Sequence, residues 1–216
     1  MEQEYLSPTR FCDRDHPEIV KQCLSLTADY SDETDRAVSI YRFVRDAIPY
    51  RFDYPATAAS QTLERRGGNC FNKATLQIAL CRRAGIQAAY SVILIRRDVF
   101  RPLLPTDIFE LVSEPTVHVF CSCLLSDRWV AADATIDEKL LRAVYRKEGW
   151  PKSPWNGQDD ARIPGDVLIE DQGIYANIDV FLLHPPKFWN DELLGRANEF
   201  LARVITASEK TEDGRG

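Results

Sequence analysis

Apolar residues recur at helical spacing after Asp32, where Ala37, Ile40, Tyr41, Val44 and Ile48 share one face. The pattern predicts an amphipathic helix capped by Ser31 or Asp32 and ended by Pro49. A shorter helix is expected upstream, opened by His16-Pro17-Glu18-Ile19 and running to about Thr27, and another over Ala58 to Glu64. Arg65 to Asn69 reads as a loop before the main helix, Cys70 to Ala84, with Gly85 as its left-handed stop. Ala74, Ile78 and Cys81 lie on or near one face of that helix, and Leu76 and Leu80 widen the stripe, as in a central buried helix.

The pattern then changes to β-branched and aromatic runs. Ile86 to Arg96 reads as a strand, and Val117 to Leu125 as a second, joined through Ser126-Asp127-Arg128 to a third, Trp129 to Ala132, so that the last two form a hairpin. Arg97 to Pro115, rich in proline and charge, reads as a long surface excursion that walls a cleft. After Asp137 a helix is expected to about Lys147, then an irregular connection over Gly149 to Gly165 and a final helix over Asn190 to Thr206. The polar tail Ser208 to Gly216 reads as disordered. The expected organisation is one domain over 1–207, with a core at about 31–147 and a C-terminal extension over 148–207.

Composition narrows the chemistry. The 216 residues are 44% hydrophobic and 28% charged, enough for a sizeable core. A formal charge of −6 with scattered Lys and Arg gives no basic stripe for nucleic acid. The N-terminus lacks a signal-peptide pattern, and the longest apolar run, Ala88 to Ile95, is too short to span a bilayer, so a cytoplasmic protein is expected. Six cysteines are then expected to stay reduced. Cys121 and Cys123 form a C-x-C with no second C-x-x-C or His-rich partner, and neither a metal nor an organic cofactor is predicted.

Arg66-Gly67-Gly68-Asn69-Cys70-Phe71-Asn72-Lys73-Ala74 places a cysteine where a glycine-loosened loop turns into a helix. The dipole and unpaired N–H groups there favour an anion, which makes Cys70 a candidate nucleophile, although a lone free cysteine is more often a small buried hydrophobe. A thiolate needs a base, and the base an acceptor that fixes its tautomer. Of three histidines, His16 and His184 precede prolines, while His118 lies inside a strand. Strand alternation puts His118, Phe120, Ser122 and Leu124 on one face and Val117, Val119, Cys121 and Cys123 on the other. Asp133, just past the returning strand, is the candidate acid beside His118, with Asp137 a rival. Cys12, Cys23, Cys81, Cys121 and Cys123 read as structural.

These residues carry a resemblance. G-G-N-C-F-N-K-A at Gly67 to Ala74, C-R-R-A-G-I-Q-A at Cys81 to Ala88, V-H-V-F at Val117 to Phe120 and W-V-A-A-D-A-T at Trp129 to Thr135 resemble the transglutaminase-like superfamily. F-V-R-D-A-I-P-Y at Phe43 to Tyr50 extends the similarity upstream, over roughly Asp35 to Thr135. The resemblance implies an α+β, papain-like core whose central helix bears the nucleophile and packs on an antiparallel sheet. It implies Cys70 as nucleophile, His118 as general base and acid, and Asp133 as the residue that orients it. It further implies a thioester acyl-enzyme formed from an amide, ester or thioester, with the acyl group passed to an amine or to water. Members of that family often carry an acidic residue before the nucleophile, where Asn69 stands here. The backbone N–H of Cys70 is one expected oxyanion donor, and Asn69, Gln61 and Tyr50 are candidates for another. The implied partner is a peptide, amide or acyl-thioester substrate, the last presented by a carrier protein in one alternative. Hydrolysis as a peptidase or amidase is a second alternative, and a non-catalytic binding module a third.

Overall fold

The computed structural model describes residues 2–146, 150, 155–184 and 189–213. After a short 3₁₀ turn, Glu2–Leu6, four helices follow: α1 (Pro17–Thr27), α2 (Glu33–Asp46), α3 (Ala59–Arg65) and α4 (Cys70–Arg83). Asp32 caps α2 by accepting from Thr34 and Asp35 N–H, and Ala37, Ile40, Tyr41, Val44 and Ile48 are buried, as their spacing predicts. Gly85 follows α4 with φ +83°, the left-handed stop.

β1 (Ala88–Ile95), β2 (Thr116–Leu125), β3 (Arg128–Ala132) and β4 (Leu168–Tyr175) form one antiparallel sheet in the order β3-β2-β1-β4. Ser126 and Asp127, both at positive φ, make the two-residue turn between β2 and β3, which lets the strands keep their twist. The sheet separates two cores. Tyr90, Val119, Cys121 and Cys123 face α1, α2 and α4. On α4 everything from Cys70 to Arg82 is buried, so the stripe expected from its sequence is a helix buried all round. Buried Arg82 fastens its end, donating to the carbonyls of Ser7, Ala88 and Ala176.

The opposite face, with Ile93, Ile95, Phe120 and Ala131, is covered by a 3₁₀ helix (Arg97–Leu103), α5 (Thr106–Phe109), α6 (Glu138–Ala143) and α8 (Asp191–Asp213). The turn α7 (Asp179–Leu182) joins β4 toward α8. Here the sequence reading needs correction. The segment 97–115 is not a surface excursion, since Leu103, Leu104, Ile108, Phe109 and Val112 are buried in the second core. β4 was not predicted, and α8 continues through Asp213, beyond Thr206 and into the segment read as a disordered tail. Ala, Glu and Lys sustain helix there, and Lys139 pairs with Glu209 at 3.6 Å. The predicted helix end at Lys147 and most of 149–154 lie outside the described residues.

Candidate active site

The loop before α4 is shaped to present Cys70. Arg66 ends α3 in the left-handed region, and Gly68 bonds backward to Pro49 O and forward from Arg51 N, both at 3.2 Å. A Cβ on Gly68 would lie 2.5 Å from Asn72 Cβ, so that position excludes a side chain, whereas one on Gly67 would meet Arg51 Cδ at 2.7 Å, on an exposed side chain that can move aside. The close approach at Gly68 admits a reciprocal cap. Asn69 Oδ1 accepts from Phe71 and Asn72 N–H at 3.0 and 3.3 Å, and Asn72 Oδ1 accepts from Asn69 N–H at 3.0 Å. Asn69 Nδ2 donates to Asp53 O at 2.6 Å and Asn72 Nδ2 to Tyr54 O at 2.9 Å, fixing the cap to the preceding strand-like segment. The cap serves Phe71 and Asn72 and leaves the Cys70 N–H outside it.

His118 pairs with Ile93 across β1 and faces the second core. The β2–β3 register sets Cys121 opposite Ala132, so Asp133 continues opposite Phe120 and diagonal to His118, within side-chain reach. His118 Nε2 and Asp133 Oδ2 are 2.7 Å apart, both side chains buried. The other Asp133 oxygen accepts from Thr135 N–H at 3.0 Å, and Asp133 N–H donates to Ala161 O. With Nε2 committed to the carboxylate, Nδ1 is the nitrogen left for Cys70, whose side chain lines the same small cavity as the imidazole.

Burial alone would push the His118 imidazole down, but the Asp133 carboxylate, its hydrogen bond, and the Cys70 sulfur together raise it to about 10. Asp133 is lowered: burial opposes its charge, and His118 and the Thr135 amide outweigh burial. Tyr50 is pushed upward, first by burial and then by the neighbouring Cys70 charge. One turn along α4, Lys73 is buried and lowered to about 8 by desolvation, with Asp137 and Asp133 opposing. Its Nζ donates to Arg45 O at 3.1 Å. Nothing in the sequence marked Lys73, because a lysine in an amphipathic pattern reads as solvated.

The other predicted site residues separate. Tyr50 lines both cavities that meet at Cys70. Asn69 adjoins Cys70, but its amide nitrogen is committed to Asp53 O. Gln61 is exposed on α3, where its Oε1 accepts from Ala58 N–H, and it faces a polar groove shared with His16 and Lys21, which contains none of Cys70, His118 and Asp133. Asp137, the rival acid, accepts from Tyr50 N–H and Leu140 N–H at 2.8 and 2.9 Å. All six cysteines are free and buried. Among the described residues one group has metal-ligand chemistry: the sulfurs of Cys81, Cys121 and Cys123 lie within 4.8 Å of one another, inside the first core and facing α4 rather than His118.

A cysteine at a helix start, an imidazole lining the same cavity and a carboxylate bonded to that imidazole form an array that can take a thiol proton and return it to a leaving group. The model of the transglutaminase-like superfamily matches residues 21–134. No curated protein sequence matches the chain. A solved structure from Cytophaga hutchinsonii, provisionally named a cysteine protease, is similar at a TM-score of 0.54 and 18% identity. The similarity covers 82% of this chain and 47% of that one, so this chain spans about half the length of its neighbour and shares its fold.

Proposed function

Because this chain belongs to the transglutaminase-like superfamily, we propose that it is a cysteine enzyme that transfers acyl groups through a thioester. His118 Nδ1 takes the Cys70 thiol proton, and the sulfur attacks the carbonyl of an amide, ester or thioester. The tetrahedral oxyanion meets the Cys70 N–H at the start of α4, where the helix dipole is favourable. His118 then gives its proton to the leaving group, and the acyl group remains on sulfur until an amine or water removes it, with His118 acting again as base. Asp133 holds the imidazole through Nε2 and stabilises its charged form. Transfer to an amine and hydrolysis share the same acyl-enzyme. The free thiols suit a reducing, cytoplasmic setting.

What supports this reading most is the 2.7 Å bond between His118 and buried Asp133, with Cys70 and His118 lining one cavity. The test is alkylation by iodoacetamide across pH, followed site by site in a peptide digest. Cys70 is expected to react fastest at pH 7, well ahead of Cys12, whose thiol burial pushes up to about 12. His118→Ala should slow Cys70 alone. Equal labelling of Cys70 and the core thiols, unchanged by His118→Ala, would remove the proposal.

A further inference from the structure

Two cavities meet at Cys70, and they differ in what they hold. The smaller, about 30 Å³, contains His118, Thr135 and Trp150, whereas the larger, about 120 Å³, contains Cys70 but not His118. The reaction distinguishes the two sides. As the sulfur–acyl bond forms and the bond to the leaving group breaks, the proton goes from His118 to the leaving atom, so the leaving group departs on the His118 side. The acyl group is then directed to the larger cavity.

Among the described residues that cavity has no charged side chain in its wall. Apolar side chains supply most of it, among them Phe52, Phe71, Leu104, Val117, Phe181 and Leu194. Its polar members are Tyr50, Asn69, Ser113 and Thr116, and the Asn69 side chain is already spent on the α4 cap and Asp53. A carboxylate or ammonium seated there would lose hydration and gain no counter-charge from the described wall. Apolar groups gain instead, and a dry cavity of roughly 150 Å³ is known to hold a benzene ring.

We infer that the acyl group carried on Cys70 is uncharged and apolar, of the size of a benzoyl or hexanoyl group. This deepens the acyl-enzyme reading and rests on it. The small His118 side admits a compact leaving group, so the probes are S-methyl thioesters, which release methanethiol on acylation.

The experiment compares S-methyl thioesters of propionate, hexanoate, benzoate and monosuccinate with the full chain, reading methanethiol release and the intact mass of the acyl-enzyme. At about 0.8 kcal/mol per buried methylene, hexanoyl should exceed propionyl in kcat/KM by roughly 50-fold. Benzoyl should match hexanoyl, and monosuccinyl should fall at least 100-fold below it. Ser113 is exposed at the rim of the cavity, and Ser113→Arg should raise the monosuccinyl rate about tenfold by supplying the missing cation. Equal rates for all four donors, or a preference for monosuccinyl, with the adduct on Cys70, would overturn the apolar assignment and leave the acyl-enzyme standing. No adduct from any donor would overturn both.

Discussion

The two faces of the sheet do different work. On one, α1, α2 and α4 close a core in which Cys70 to Arg82 are all buried, and what it brings to the proposed reaction is the thiol at one helix end. On the other, His118 and Asp133 share a surface with segments that also wall the cleft: the 3₁₀ helix, α5 and α8. The nucleophile is therefore held by a helix buried all round, and its proton partners stand among the parts that wall the cleft. A chain built this way can change its substrate by altering one face while the thiol stays fixed by the other.

The largest effect is expected from the proton partners. Asp133→Asn leaves a buried imidazolium without its counter-charge and should lower kcat/KM about 10²- to 10⁴-fold. The pH profile sharpens this. His118 is raised to about 10, so the proton it takes from Cys70 stays on the imidazole, ready for the leaving group, until pH approaches 10, and acylation should fall above it. In Asp133→Asn that limb should move down toward the ordinary histidine value of about 6.5. An unchanged limb would detach Asp133 from His118. The same shifts act on stability. A raised His118 stabilises the fold fully below its unfolded value, and that contribution is lost as pH rises toward about 10. A lowered Asp133 stabilises above the unfolded carboxylate value and is lost as pH falls through its folded one.

Next is the scaffold face. Arg82→Ala strands three carbonyls, of Ser7, Ala88 and Ala176, that the guanidinium now satisfies. A loss of about 3–5 kcal/mol is expected in denaturant unfolding, with Cys70 alkylation in the folded fraction unchanged. Gly68→Ala is the intermediate case, since its Cβ strikes Asn72 and opens the cap of α4. It should cost about 1–3 kcal/mol and slow Cys70 alkylation as well. A stability loss without slower alkylation would show that the cap does not position the thiol. The smallest effect belongs to the cleft. Phe181 is 47% exposed and stacks on Phe71, so Phe181→Ala should leave stability within about 1 kcal/mol while reducing the hexanoyl preference severalfold.

The scaffold face was legible in the sequence because its signals are local. The spacing of Ala37, Ile40, Tyr41, Val44 and Ile48, the Asp32 cap and the Gly85 stop each state a helix by themselves, and alternation along β2 put His118 opposite to Cys121 and Cys123. The other face was not. β4 carries Glu170, Asp171 and Gly173 and is exposed along most of its length, so its place rests on pairing with β1, which only the fold supplies. In 97–115 buried Leu104, Ile108 and Val112 recur every four residues, but the run is only two turns long and lies among prolines and charges, too short to state a helix by itself. Gln61 was singled out as a polar residue near the nucleophile in sequence, but its carbonyl closes the start of α3. The cleft was legible only in part: 97–115 walls it as read, through Phe100, Leu104, Ile108 and Val112, but Phe71, Val117, Phe181 and Leu194 are distant in sequence and meet only in the fold.

The most direct measurement is the mass of the intact protein after brief exposure to an S-methyl hexanoyl thioester at neutral pH and acid quench. One acyl addition is predicted, localised to Cys70 by digestion, absent in Cys70→Ala and strongly reduced in His118→Ala. An unmodified wild-type mass with no methanethiol released from this or any of the other three thioesters, or an equal adduct that persists in Cys70→Ala, would contradict the assignment of Cys70 as the nucleophile.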